Sequence, residues 1–571
     1  MSRRLVCLLI CSLLVVFVCA PLFAEGPDEG EDNGRLRALM EEVPVPVEIS
    51  MKTEIDKLAP KPVLPSEKVM IKEVRVLDVT LIPSKEIEEI IQPFSNTQIS
   101  GKDMQRCADQ ITDTYNLKGF ITSYAYVVPE RLSEGILEIR GVEGKIGKIK
   151  IQGNKYYATR IYQKKLSLKE GDVVDYAFLR NNVYRINKHQ DRKATLELTP
   201  GEEPGLTDIT LSVKDKSPLH FTNQDDNYGS TYIMWRRYKG LFLTNNFTGH
   251  DDSLQAKVQW TEADAHKLYD LDYFIPITNN LTFELYLMPY KKENYMFERK
   301  VQGMEKRARK WYFYFFQKMV DTPTNQFTLN YGFVYKNILW YAYGDRQKED
   351  KFRAGMLGFD WMIKDKWGTT AISDDIEMGI PGIWGGADIK PYYTSVPYAS
   401  GRYKKNHLQV ARRQKLIGDV ELIFKSHWQM SSTQLTGVNA FSVGGYCGVI
   451  DNRGYPRAQH YGASGYSFHP GLAFPPYFLP KGMNVPFYNN VKWHNALKIF
   501  TFYDWANAYQ KTYATKDGRS SVWKSAGFGL TLNLPNNLAV RIDNAWPVGS
   551  KGKAPADGDH CQTWWSFTKG F

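Results

Sequence analysis

From about residue 218 to the end of the chain, apolar and polar side chains alternate over long, repeated stretches. Leu254, Ala256, Val258 and Trp260 alternate with Gln255, Lys257 and Gln259. Leu281, Phe283, Leu285 and Leu287 alternate with Thr282, Glu284 and Tyr286, and Phe528, Leu530, Leu532 and Leu534 with Gly527, Gly529, Thr531 and Asn533. A period of two with one apolar face is the mark of a strand with two different environments on its two sides. About sixteen such segments of roughly ten residues can be laid out, a length that crosses a bilayer when tilted. A soluble sandwich or propeller would need a second layer over the apolar face, and neither a blade repeat nor a facing set of strands is present. Residues 218–571 are therefore predicted to form one antiparallel barrel, apolar towards lipid and polar towards a wet lumen.

Residues 67–143 follow a different rhythm. Residues 69–76 (VMIKEVRV) read as a strand, Ser84–Pro93 and Asp103–Lys118 as helices, and Gly119 stands where a helix C-cap glycine is expected. Residues 121–128 and 135–144 then read as strands, giving the order β-α-α-β-β. Residues 144–217 repeat it: a strand and turn at 145–154, helices at Ala158–Leu166 and Tyr176–Asn187, and a hairpin over 194–213 with Pro200-Gly201 and Pro204-Gly205 in its loop. Ahead of these units, residues 25–66 are acidic and glycine-rich, then proline-rich, and read as a flexible segment in which Arg35–Val43 can form a short helix.

Residues 1–24 carry Arg3 and Arg4, an apolar run from Leu5 to Val18, and Ala24 at a small-residue cleavage position, the layout of a secretory signal peptide. No later stretch is long and apolar enough for a membrane helix, which leaves an exported chain as soluble or barrel-forming. Arg3 and Arg4 are the only charges before Ala24, so the formal net charge of +11 falls to +9 on processing. Export argues against a nucleic-acid partner for this basic chain, and anionic lipopolysaccharide or an acidic client fits instead. Aromatic residues make up 14% of the chain, with 35 Tyr and 14 Trp, which suits the two aromatic girdles of a membrane barrel. Cys107, Cys447 and Cys561 remain after processing, widely spaced and odd in number, so neither a disulfide framework nor a metal site is predicted.

Several motifs extend this picture. Residues 115–120 (YNLKGF), Val128-Pro129, Gly135-Ile136-Leu137 and Val142-Glu143-Gly144 resemble a POTRA (polypeptide-transport-associated) domain, and 144–217 resembles a second. Leu435, Phe441-Ser442-Val443-Gly444-Gly445 and Arg453-Gly454-Tyr455 resemble the long sixth loop of two-partner secretion transporters, the haemolysin/filamentous-haemagglutinin secretion-activation family. The resemblance runs from about residue 67 to Phe571. It implies mainly-β architecture: 1–24 signal peptide, 25–66 with a candidate plug helix, POTRA domains at 67–143 and 144–217, and a barrel of about sixteen strands over 218–571 with its long loop at about 430–465. It also implies that the loop folds back into the lumen, where Arg453 meets an inward Asp504 in the pattern Phe502-x-Asp504-x-Ala506, with Ala in place of the family's Gly. An arginine suits such a pair because it stays charged and forks onto a carboxylate. Other departures are Asn439-Ala440, where the family favours acidic or amide residues, Asn452 before the arginine, and the extra spacing of Ile450 and Asp451, the latter a rival partner for Arg453.

The function so implied is translocation of an unfolded partner protein to the cell surface without ATP, in the bacterial outer membrane with the POTRA domains in the periplasm. The alternative is a barrel-assembly factor of the same superfamily, which usually carries more POTRA domains; a porin or a barrel enzyme is a distant third. Phe571 as final residue, with Phe567 and Trp565 on the same face, resembles the signal read by the barrel assembly machinery. No catalytic residue, metal or cofactor is predicted: Gly462-Ala463-Ser464-Gly465 lacks the strand–turn–helix setting of a nucleophile elbow, and His460 and His469 stand alone in the sequence.

Overall fold

The structure is a computed structural model that describes residues 47–51, 62–230, 233–297, 300–387, 394–396, 399–445, 452–457, 459–509, 521–535, 537–549, 555 and 557–571. The signal peptide, the candidate plug helix at Arg35–Val43, Cys447, Ile450 and Asp451 lie outside the described residues. The chain divides into two compact units, one running Pro44–Pro218 and the other containing Leu219–Phe571.

The first unit holds two α+β cores. In the first core, helix Gly101–Leu117 places Met104, Cys107, Ala108, Ile111 and Tyr115 on one buried stripe, spaced as a helix face against a sheet requires. Ser100 caps it in a reciprocal box with Asp103, and Gly119 ends it at φ +92°. The sheet under it runs Glu73–Leu77, Ile136–Val142, Tyr124–Val128, the first pair parallel and the second antiparallel. The second core repeats this plan with helices Thr159–Leu166 and Tyr176–Asn187, the latter capped by Asp175. Its sheet is the antiparallel pair Arg192–Pro200 and Leu206–Asp215 with Lys145–Gln152 parallel on one side. Residues 25–66 read as flexible, yet Glu48–Met51 form a strand, parallel to Arg192–Pro200 on the sheet's other side. Four residues carry no readable period; the hydrogen-bonding edge beside them makes them a strand.

The second unit is a closed antiparallel barrel of sixteen strands. In chain order these are β1 (Leu219–Asp226), β2 (Arg237–Thr244), β3 (Ser253–Thr261), β4 (His266–Pro276), β5 (Leu281–Phe297), β6 (Lys300–Asp321), β7 (Asn325–Ala342) and β8 (Asp345–Lys364). They continue as β9 (Gly368–Gly379), β10 (Lys404–Lys415), β11 (Glu421–Ser431), β12 (Ser464–Phe474), β13 (Leu497–Tyr509), β14 (Ser521–Leu534), β15 (Leu538–Pro547) and β16 (Gln562–Gly570). Each pairs with the next, and β16 closes on β1. The alternation sorts as expected. Trp260, Phe528 and Leu530 remain exposed on the outer wall at 41, 47 and 40%, while Gln259, Glu284, Lys310, Asn330 and Asp543 are buried inside. A soluble protein rarely leaves so much aromatic and aliphatic surface uncovered or lines its interior with charge; a lipid-facing wall around a polar lumen does both. No helix among the described residues is long and apolar enough to cross a membrane, which has no bearing on strands.

Candidate functional site: the loop inside the barrel

Between β11 and β12 the chain leaves the wall at Ser431 and returns at Ser464, whose Oγ accepts from Ser431 N at 3.0 Å. The intervening loop carries a small hairpin, Phe441–Val443 paired with His460–Gly462. This hairpin is laid against the inner face of β13. His460 Nε2 lies 3.2 Å from Ala508 O, and Phe441, Val443 and Tyr455 pack with Ala506, Ala508 and Trp523. Alanine at 506, where the family pattern has glycine, is fully buried in that contact and small enough to admit Phe441. Gly444 and Gly445 turn the chain at φ +105° and +87°, a region open chiefly to glycine. A Cβ on Gly445 would also sit 2.7 Å from Arg457 Cα.

The turn delivers Arg453 to Asp504. Arg453 Nη2 donates to Oδ1 at 2.7 Å, Nε to Oδ2 at 2.9 Å, and its backbone N to Oδ2 at 3.1 Å. Phe502, two residues before Asp504 on the same face of β13, lies flat beneath the guanidinium, whose carbon is 3.3 Å from the ring centroid. A Cβ on Gly527 of the neighbouring strand would come within 2.5 Å of the Phe502 ring, so glycine there makes room for it. Both members of the pair are buried, with Arg453 side chain 8% exposed and Asp504 0%. A charge pair withdrawn from water needs its remaining lone pairs and protons satisfied, and the surroundings supply partners. His469 Nδ1 is 3.2 Å from Asp504 Oδ1, Ser525 Oγ lies 3.3 Å from Asp504 Oδ2, and Trp564 Nε1 donates to Arg453 O at 2.7 Å.

The neighbours of Arg453 complete the seat. Gly454 passes so close to the wall that a Cβ would lie 2.5 Å from Ser525 Cβ and 2.9 Å from Pro547 N. Tyr455 stands edge-on to Trp523 with centroids 5.0 Å apart. Asn452, a departure from the family pattern, is buried and useful here: its Nδ2 donates to Trp523 O at 2.9 Å and its Oδ1 accepts from Ser525 Oγ at 2.8 Å. Asn439 is likewise tied down, accepting from Lys336 Nζ at 3.1 Å and donating to Tyr403 at 3.2 Å. The loop is thus held by β7, β13, β14 and β16, with His469 of β12 beside Asp504. His469, on the strand that ends the loop, and Trp564, 111 residues on from Arg453, belong to this cluster; nothing in their local pattern marks them. The lone-histidine reading of His469 gives way to a place beside Asp504.

The other sequence-marked residues lie at the barrel seam. Phe571 N donates to Phe221 O at 2.7 Å and Phe571 O accepts from Phe221 N at 3.3 Å, extending the β1–β16 pairing by one residue. Phe571 and Phe567 are exposed on the outer face, and Trp565 is half-buried under the Arg236 guanidinium. Among the described residues no cluster of three or more His, Cys, Asp or Glu side chains can hold a metal.

A closed sixteen-strand barrel with an in-folded loop, preceded in the sequence by α+β units of the β-α-α-β-β kind, defines the POTRA-plus-barrel class. Residues 69–144 match the POTRA domain of ShlB type, and residues 205–491 match the haemolysin secretion/activation protein ShlB/FhaC/HecB model. The second match spans half of the chain, and the chain belongs to that family. It is similar to the outer membrane transporter CdiB of Escherichia coli, 26% identical over 174 residues, which is 30% of this chain and 29% of that protein. It is also similar to the heme/hemopexin transporter protein HuxB of Haemophilus influenzae, 21% identical over 524 residues, 88% of this chain and 87% of that protein. The first relatives it resembles are therefore matched over less than a third of their length. The solved structure of CdiB from Escherichia coli superposes with a TM-score of 0.70 at 17% identity, covering 94% of this chain and 95% of that one, a likeness of fold.

Proposed function

We propose that this chain carries one unfolded secreted partner protein across the bacterial outer membrane without ATP, as in two-partner (type V) secretion. The observation that carries the reading is the loop pinned inside the lumen by Arg453 and Asp504. A protein-conducting barrel needs a part that can move aside for a chain, and a loop held in the lumen by one ion pair and a few hydrogen bonds is such a part. Family membership supports the same reading. The barrel sits in the outer membrane, and the two α+β units, read as POTRA domains at 67–143 and 144–217, stand in the periplasm to receive the client. Folding of the client outside supplies direction without a nucleotide, so no enzymatic step is required of the chain. The exposed aromatics of the outer wall meet lipid and lipopolysaccharide, and Phe571 with Phe567 and Trp565 forms the signal taken up by the barrel assembly machinery.

The test is deletion of the chain's gene followed by comparison of cell-surface and culture-supernatant proteins. One large exported protein is expected to disappear from the surface and accumulate, degraded, in the periplasm, and to return on complementation. A general loss of outer-membrane barrels, with no one exported protein selectively missing, would point to an assembly factor instead.

A further inference from the structure

In both α+β units the strand that follows the second helix lies at or near a sheet edge. In the first, Tyr124–Val128 ends the sheet, with no further strand beside it among the described residues. In the second, the equivalent strand Arg192–Pro200 is covered: Glu48, Ile49, Ser50 and Met51 pair in parallel with Thr195, Leu196, Glu197 and Leu198. An extended protein chain binds a sheet by adding to such an edge, its backbone making the hydrogen bonds and its alternate side chains reaching the core. Here the chain's own segment already does so.

The hold is built for exchange. Only Val47 and Ile49 turn inward against the core of Leu196, Leu198 and their neighbours, and both stay half-buried. Glu48, Ser50 and Met51 are exposed, and the Glu48–Lys193 pair, 3.5 Å apart and open to water, adds little. A four-residue strand whose apolar anchors are half-buried Ile49 and, just ahead of it, half-buried Val47 would not hold an edge as a free peptide. Being part of the same chain, it competes at an effective concentration of about millimolar.

We infer that Glu48–Met51 is a placeholder for the client: an extended segment of the transported protein, apolar at alternate positions as Val47 and Ile49 are, takes the Arg192–Pro200 edge by displacing it. This rests on the transport reading above. The placeholder protects the edge from chance pairing with other unfolded chains, and it rejects segments that bind the edge more weakly than it does. The edge of the second α+β core thus opens only by exchange.

The test uses the full chain in detergent with Cys447 and Cys561 replaced by Ser. One variant carries Ser50→Cys and Glu197→Cys at paired positions, so that oxidation locks the placeholder in place. The other carries Ile49→Asp, which removes its main anchor. The probe is a fluorescent synthetic peptide with the sequence of residues 45–51, VPVEISM, with a scrambled peptide as control. Removing the intramolecular competitor is expected to tighten probe binding about tenfold or more in Ile49→Asp relative to the parent. The oxidised lock is expected to abolish binding, with recovery on reduction. Equal binding by parent, Ile49→Asp and locked chain would overturn the proposal. In cells, the exported protein whose surface delivery depends on this chain is the second probe. Its export should stop in the oxidised lock and resume with reductant. Full export through a fully oxidised lock would overturn displacement while leaving transport standing. If no protein depends on the chain for export, the transport reading fails, and the peptide measurement alone decides the edge.

Discussion

Arg453 and Asp504 form a forked, buried ion pair that joins the tip of a long loop to the middle of β13, with Phe502 stacked beneath the guanidinium. Removing either partner leaves the other charged and without its main counter-ion, which costs about 3–5 kcal/mol of loop anchoring. Arg453→Ala and Asp504→Asn are each expected to expose the loop to externally added protease, to make single-channel conductance noisier, and to reduce client export. In a double-mutant cycle on protease protection the two should couple by about 0.5–3 kcal/mol. Strict additivity would mean that the pair does not hold the loop.

Gly454 tests the fit without altering charge. A Cβ there meets Ser525 and the Pro547 backbone at 2.5 and 2.9 Å, and neither can withdraw without moving the wall. Gly454→Ala is expected to unseat Arg453 nearly as fully as Arg453→Ala while the barrel still assembles. Gly444→Ala should act similarly, since its φ of +105° strains any side chain. Protease protection of the loop next to heat-modifiable gel mobility separates an unseated loop from a failed barrel.

Trp564 offers a milder probe. Its Nε1 donates to Arg453 O at 2.7 Å, and Trp564→Phe deletes that donor while keeping most of the ring's bulk. The loss should be about 1 kcal/mol, visible as a modest rise in loop protease sensitivity with export largely retained. A collapse of export as large as that of Arg453→Ala would show that Trp564 does more than brace the loop.

Much of this organisation was readable from the chain. Alternation at Leu281–Leu287 and Phe528–Leu534 marks wall strands because lipid and lumen enforce opposite chemistry on successive residues. The helix stripe from Met104 to Tyr115 shows as plainly, although the helix begins at Gly101, since the Ser100–Asp103 cap sets its start. Gly444, Gly445, Arg453 and Asp504 stand out through family resemblance. Trp564, Ser525 and His469 do not, because their role exists only once four strands bring them to one point of the lumen. Glu48–Met51 escaped for a related reason: its strand character belongs to the edge it covers, and its composition reads as linker.

The α+β units should weaken in alkali. Burial pushes the Cys107 thiol up to about 12 from an ordinary 9.0, and burial, reinforced by nearby carboxylates, also raises the Tyr115 and Tyr157 phenols; burial raises Tyr162 too. The folded chain keeps protons that the unfolded chain releases, so this stability is complete below about pH 9 and is lost as pH climbs towards 12. Urea midpoints followed by far-ultraviolet circular dichroism should fall over that window. At pH 8, in a Cys447→Ser background, iodoacetamide should label half-buried Cys561 and spare Cys107 until the unit unfolds.

The central claim is protein passage through this barrel, and reconstitution tests it most directly. Purified chain would be inserted into lipid vesicles with the α+β units outside. The exported protein identified by gene deletion would be added unfolded and nucleotide-free, and its protection from protease followed over time. Full-length protected client is expected to accumulate with the parent chain and to fall sharply with Arg453→Ala or with residues 67–143 removed. Protection that is absent with the parent chain, or that is equal in vesicles lacking it, would contradict the account.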